Sequence, residues 1–237
     1  MKRLHLVHCV LTLCLLAAGA ASAQTFPSKP IRLIVPFAVG GANDLNGRSL
    51  QVPLGKALGG TILVENMPGA STKIGLDHVL KSAPDGYTLL LAGHGALMSY
   101  YYSGIFDTKF WDNMVILGQT GRMPWVAIES KADAPYTNWA ELVAYAKKNP
   151  GKLVMASSGN GTTGHLGGEL FKSLTGTYIL HVPYRGSPNA IQDLIGGNID
   201  LMFDNLSSIG PHVKAGRVRA LGVSGARRSA LFPQLPT

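Results

Sequence analysis
From Ile31 onward, short apolar runs alternate with longer segments of helical pattern, and this alternation constrains the chain more than any other feature of it. Runs at Ile31–Val35, Thr61–Glu65, Tyr87–Ala92, Val115–Gln119, Trp125–Glu129, Leu153–Ala156, Tyr178–Val182, Asp200–Phe203 and Val218–Ser224 read as strands. Helical patterns begin near Asp44 and cover Lys73–Ala83, Asn138–Lys148, His165–Leu174 and Pro188–Ile195. Thr137 or Asn138 caps the third of these, and Asn149-Pro150-Gly151 stops it. Such alternation predicts an α/β fold with parallel sheets covered by helices on both faces. Gly47, Pro53 and Gly55 fall inside the first helix, and a proline there costs about 3 kcal/mol, so a kink or a restart is expected.

Composition narrows the class. Apolar residues make up 46% of 237 positions and charged residues 14%, which excludes a disordered chain and allows one large domain or two small ones. The first 23 residues read as a secretory signal peptide: Lys2 and Arg3, the apolar run Leu11 to Ala18, and Ala21-Ser22-Ala23 as the cleavage site. That run is too short to span a bilayer. Cleavage would remove both cysteines, Cys9 and Cys14, leaving no disulfide and no thiol chemistry. It would also lower the net charge from +8 to about +6 as Lys2 and Arg3 leave. An exported basic protein has no nucleic acid to meet, and its charge suits an anionic ligand or surface.

Ligands of open α/β sheets bind beyond the carboxyl ends of strands, where helix N-termini point. Three loops in that position are rich in glycine and small polar residues: Phe37 to Asn43, Pro68 to Thr72, and Ser157 to Thr163. Glycine permits close backbone approach, and free amides at a helix start attract an anion. Three such loops in one α/β pattern point to a shared pocket, to which Asn43 and Ser71 contribute polar side chains. Gly159-Asn160-Gly161-Thr162-Thr163-Gly164 matches G-x-G-x-x-G, but the strand that follows ends at Arg185 rather than an acid. That leaves only an NADP reading, and an exported protein rarely meets this cofactor.

H-E-x-x-H, G-x-S-x-G and phosphate-loop signatures are absent, so no catalytic residue and no cofactor is assigned. His78, His94, His165, His181 and His212 include no pair at i, i+4, which argues against zinc. His94 follows a strand and His165 opens a helix beside the third loop; each either lines a pocket or is a surface or capping residue. Asp204 ends a strand, where it binds a ligand ammonium or hydroxyl or caps the next helix. The run Tyr100-Tyr101-Tyr102 reads as packing.

Several segments resemble a known family. Lys29-Pro30-Ile31-Arg32-Leu33-Ile34-Val35-Pro36-Phe37 with Gly40-Gly41 and Asp44, then Val64-Glu65-Asn66 with Pro68-Gly69-Ala70, then Ala83-Pro84-Asp85-Gly86-Tyr87-Thr88-Leu89 stand in the order found in Bug-type solute receptors. These are the TctC-like periplasmic receptors of tripartite tricarboxylate transporters. Ala156 to Thr162, Gly168-Glu169-Leu170-Phe171, His181-Val182-Pro183-Tyr184-Arg185-Gly186 and Asp200 to Asn205 continue the match. The resemblance implies a two-lobed periplasmic-binding-protein fold of type II, a Venus flytrap, with lobe 1 at 25–126, lobe 2 at 127–230, and 231–237 beginning a return to lobe 1. It implies a monomeric, non-catalytic periplasmic receptor that binds a small carboxylate and serves membrane transporter subunits or a sensor. It places Phe37, Gly40, Gly41, Asp44 and Ala70 at the ligand from lobe 1, and Ser157, Asn160, Gly161 and Thr162 from lobe 2, with Tyr184 and Asp204 lining the opposite side. Ala42-Asn43 and Ser71-Thr72 depart from the usual glycine-rich pattern. The family continues beyond Thr237, so the C-terminal part of lobe 1 is expected to be missing. The alternatives are an exported α/β enzyme whose catalytic residues go unrecognised, and a nonfunctional fragment of the receptor.

Overall fold
A computed structural model describes residues 25–102, 104, 108–121 and 126–237. The leader at 1–23 and Trp125 lie outside the described residues. Two sheets organise the chain. The first has the order β2-β1-β3, all parallel, from β1 (Ile31–Val35), β2 (Ile62–Asn66) and β3 (Thr88–Leu90). Its strands are joined by α1 (Ala42–Leu58) and α2 (Lys73–Leu80), and α3 (His94–Tyr102) follows β3. Helix α1 buries Leu50, Leu54 and Leu58 against Ile31, Leu33, Val35 and Ile62 on one face. Leu76, Leu80, Ala96, Leu97 and Phe110 pack together as a second core cluster with Leu90 of β3, and Phe37 touches both clusters. Arg32 and Glu65 close a bidentate pair across the β1–β2 ladder, with both nitrogens 2.7 Å from carboxylate oxygens. Helix α1 runs through Pro53 without interruption and ends at Gly59 in the left-handed conformation (φ 67°). The expected restart is absent because the helix is held on both sides of Pro53 by its packing on β1 and β2.

The second sheet has the order β6-β5-β7-β4-β8 and is mixed. Strands β5 (Val154–Ser157), β6 (Leu180–Pro183) and β7 (Leu201–Asn205) are parallel, whereas β4 (Val126–Lys131) runs antiparallel to both β7 and β8 (Val218–Val223). The expectation of purely parallel sheets is therefore corrected here, because an apolar run carries no mark of its direction. Helices α4 (Trp139–Lys148) and α5 (Thr163–Thr175) cover one face through Leu142, Ala146 and Phe171. Helices α6 (Ser187–Ile195) and α7 (Leu206–Lys214) cover the other through Ala190, Leu194 and Ile209, joined by Phe232 and Leu235 from the last residues of the chain. The Val223 amide donates to the Pro236 carbonyl at 2.9 Å, which ties that segment to β8. Helix α4 has a full cap: the Asn138 side chain accepts from the Glu141 amide, and Glu141 reaches back to the Thr137 amide and hydroxyl.

Val115–Gln119 is not a strand. Val115, Ile116 and Leu117 are 76–82% exposed, so their apolar run has no strand beside it among the described residues. Among the described residues no helix is long and apolar enough to cross a membrane.

Candidate functional site: a cleft between the two sheets
The loops that leave β1, β5, β6 and β7 meet in one cleft. Phe37, Ala38, Gly41, Ala42 and Asn43 line it from the first sheet, and Ser158, Gly186, Ser187 and Asn205 line it from the second. None of these side chains is charged. The two walls nearly touch: a Cβ built on Gly186 (φ 126°) would stand 2.7 Å from the Ala38 Cβ, and one on Gly40 would stand 3.6 Å from Pro188 Cγ. The cleft leaves about 10 Å³, room for a single water.

Helices α1, α6 and α7 start at this cleft from Gly41, Gly186 and Asn205, and none has a side-chain cap. First-turn amides have no intrahelical partner and carry the positive end of the helix dipole. Three N-termini without side-chain caps meet at a cleft whose lining side chains carry no charge, with the Asp44 and Asp204 carboxylates buried behind them.

The first loop is shaped by Asp44, whose carboxylate is 1% exposed. It accepts from the Gly40 amide at 2.8 Å, Arg48 Nε at 3.0 Å and Asn66 Nδ2 at 2.9 Å. Burial alone would raise its pKa, but the Arg48, Gly40 and Asn66 bonds together outweigh burial and hold it below the usual value. Asp44 is thus occupied in bracing Gly40, at φ 82°, beside Gly41 and Asn43 in the lining.

The third loop is braced from behind. Ser157, fully buried, bonds His181 Nε2 at 2.8 Å and donates to the Gly159 carbonyl. Thr162 caps α5 and donates to the Gly159 carbonyl at 2.7 Å, while the buried Gly161 donates its amide to His165 Nδ1 at 3.1 Å. Asn160 is exposed at the tip of this loop. The rings of His165 and His181 stack with centroids 4.3 Å apart. Desolvation, with the neighbouring His165 adding to it, pulls the His181 pKa down to about 4.

The remaining candidates divide. His94 is exposed at the start of α3, where a Cβ on the adjoining Gly95 would meet Thr163 Oγ1 at 3.3 Å, so it sits on the seam between the two walls. Ala70 and Ser71 belong to a short 3-10 turn with Thr72, and all three take positive φ (42°, 54° and 74°), a conformation that glycine would adopt without strain. They are not among the lining residues. Neither is Tyr184, whose hydroxyl donates to Asp193 at 2.6 Å; burial and then that bond push its pKa up to about 12. Asp204 accepts hydrogen bonds from Ser187 at 2.9 Å and from Ser208. It therefore positions Ser187, which does line the cleft. The sequence reading missed Gly186, Ser187 and Asn205. The signal was present in Gly186-Ser187-Pro188, a glycine followed by Pro near the start of a helix, and in Asn205 at the end of a buried strand.

Residues 47–237 match the family model described as tripartite tricarboxylate transporter family receptor, TctC. The chain belongs to this receptor family. It is 36% identical over 222 residues to the protein BugT of Bordetella pertussis, covering 93% of this chain and 68% of that protein. Among solved structures it is similar to R. palustris Rpa4515 with adipate (TM-score 0.75, 30% identity, 90% of this chain and 71% of that one). It is likewise similar to MatC from Rhodopseudomonas palustris with bound malate (TM-score 0.75, 26% identity, 90% and 72%). The two sheets and the cleft are the two-lobed periplasmic-binding-protein fold. The family is one of solute-binding receptors.

Proposed function
We propose that the protein is an exported receptor that binds a small carboxylate in the cleft and delivers it to the membrane subunits of a tripartite tricarboxylate-type transporter. The observation that carries this reading is the meeting of three uncapped helix N-termini at one chargeless cleft. A carboxylate placed there receives backbone amides from α1 on one wall and from α6 and α7 on the other. Donors on both walls suit an acid with two carboxylates, the chemistry of the adipate and malate held by two similar proteins. The second lobe is taken as 126–237 rather than 127–230, because Val126 opens β4 and Phe232 and Leu235 pack in its core instead of returning to the first lobe. The leader ends near Ala23 and the mature chain works as a periplasmic monomer without catalysis.

With Ala38 and Gly186 facing each other so closely, the walls part to admit a ligand and close on it, so the ligand's work is to favour the closed arrangement. Thermal melts with malate, adipate and citrate test the reading. An acid at about 100 times its dissociation constant adds about 2.7 kcal/mol and raises the melt visibly. Gly41→Val should remove that rise at little cost to the fold, because Gly41 has ordinary φ (−77°) and a Cβ there meets only the Ala38 carbonyl at 3.4 Å. A cooperative melt that no acid raises would refute carboxylate binding.

A further inference from the structure
Behind the third loop, His165, Glu169 and His181 each offer a ligand atom within 4.8 Å of the other two. His165 and Glu169 lie one turn apart on α5, with Nε2 and Oε1 3.8 Å apart, and β6 brings His181 face to face with His165, the ring planes 26° apart. Counting only His–His spacings in the sequence hid this group, because the third member arrives through the fold.

We propose that His165, Glu169 and His181 bind a divalent cation of the Zn²⁺ class, with a fourth position open to water. Two imidazoles and one carboxylate are a zinc-type donor set. In a tetrahedral site with bonds of about 2.0 Å the donors stand about 3.3 Å apart. Closing the existing distances also requires one imidazole to turn out of the stack, because face-to-face rings aim their in-plane lone pairs nearly parallel. Ser157 holds His181 at one nitrogen, whereas the Gly161 amide donates to His165 Nδ1 and so favours the tautomer with its proton on Nε2, which must move to Nδ1 before Nε2 can coordinate. The opposing group is Lys172, whose ammonium is 2.7 Å from Glu169 Oε1. It competes for the carboxylate and sets a modest affinity.

Occupancy reaches the cleft through His165. Coordination at Nε2 puts the ring proton on Nδ1, where it faces the Gly161 N–H instead of accepting from it. Filling the site thus loosens the hold on the third loop.

The test is calorimetric titration of the full chain with Zn²⁺ alone. One equivalent is expected, weakened about tenfold or more in Glu169→Gln and His181→Gln. Lys172→Gln is expected to tighten it, an effect that a cation held elsewhere would not show. Cooperative melts establish that each variant is folded, and the part-exposed Glu169 keeps the test open if His181→Gln is not. The absence of saturable binding overturns the proposal, as does equal affinity in the parent and Glu169→Gln.

Discussion

Asp204 sits at 1% exposure between the starts of α6 and α7, accepting from Ser187 and Ser208. Burial pushes its carboxyl up to about 6 from an ordinary 3.8, against the pull of the two hydroxyls and a backbone amide. The native state therefore keeps a proton that the unfolded chain releases once the pH passes about 4. Stability contributed by this group is fully present below 3.8, declines as the pH rises toward 6, and stays low above it. The gap between the two values is worth about 3 kcal/mol. Asp204→Asn removes the titration and keeps an oxygen for one serine. Urea unfolding of parent and variant at steps from pH 4 to pH 7 measures the effect. The stability difference should move by about 2.4 kcal/mol in favour of the variant across that range, the rest of the 3 kcal/mol lying below pH 4. A difference that stays flat would mean that Asp204 is ionised in the native state throughout, held by its hydroxyls and the adjoining helix starts, and the burial argument would fail.

Three other substitutions probe the scaffold around the site. A Cβ on Gly164 would stand 2.0 Å from the Phe203 carbonyl oxygen, so Gly164→Ala should lose about 1–3 kcal/mol by denaturant unfolding even though alanine favours the helix by about 1 kcal/mol. Gly186→Ala sets a methyl against Ala38 across the cleft, at a left-handed φ of 126°. It should enlarge the radius of gyration in small-angle scattering and weaken carboxylate binding, and an unchanged affinity would contradict the closed geometry. Asn138→Ala removes the cap of α4 far from the cleft and should cost about 1 kcal/mol by the same unfolding assay, with affinity untouched.

The strand-and-helix alternation was legible because burial leaves a local imprint: β1 is Ile31–Val35 in sequence and structure alike, and α4 begins after its predicted cap. What escaped depends on partners distant in the chain. Val115 to Leu117 has the composition of a strand, yet stays exposed and pairs with no strand among the described residues. Helix α7 was overlooked because Gly210 and Pro211 break the local pattern, and it forms because Leu206 and Ile209 are buried against the sheet. In the cleft the loops were legible and the side-chain directions were not. Asp44, Ser157, Tyr184 and Asp204 are polar residues in the expected segments, but each spends its hydrogen bonds on bracing the loops, and the lining falls to small neighbours. Only the fold reveals that Ser187, thirty residues beyond Ser157, stands on the same wall.

The capping pattern connects stability to binding. Away from the cleft, α4 has a complete side-chain cap and α2 has none; beside the cleft, α5 is capped by Thr162, whereas α1, α6 and α7 have no side-chain cap. A side-chain cap contributes about 1 kcal/mol. On the proposed reading, an incoming carboxylate supplies the cap that α1, α6 and α7 lack. Gly41→Asp tests this directly, because Gly41 already has the extended conformation of an N-cap (φ −77°, ψ 167°) and lines the cleft. The new carboxylate would accept from the first-turn amides of α1, raising the melt of the free protein by a few tenths of a kcal/mol over glycine. It would also place a fixed negative charge where the ligand's own should lie. Affinity for malate or adipate should fall steeply while stability rises. Parallel losses of both would mean that Gly41 serves the fold alone, and unchanged affinity would remove the α1 amides from the binding site.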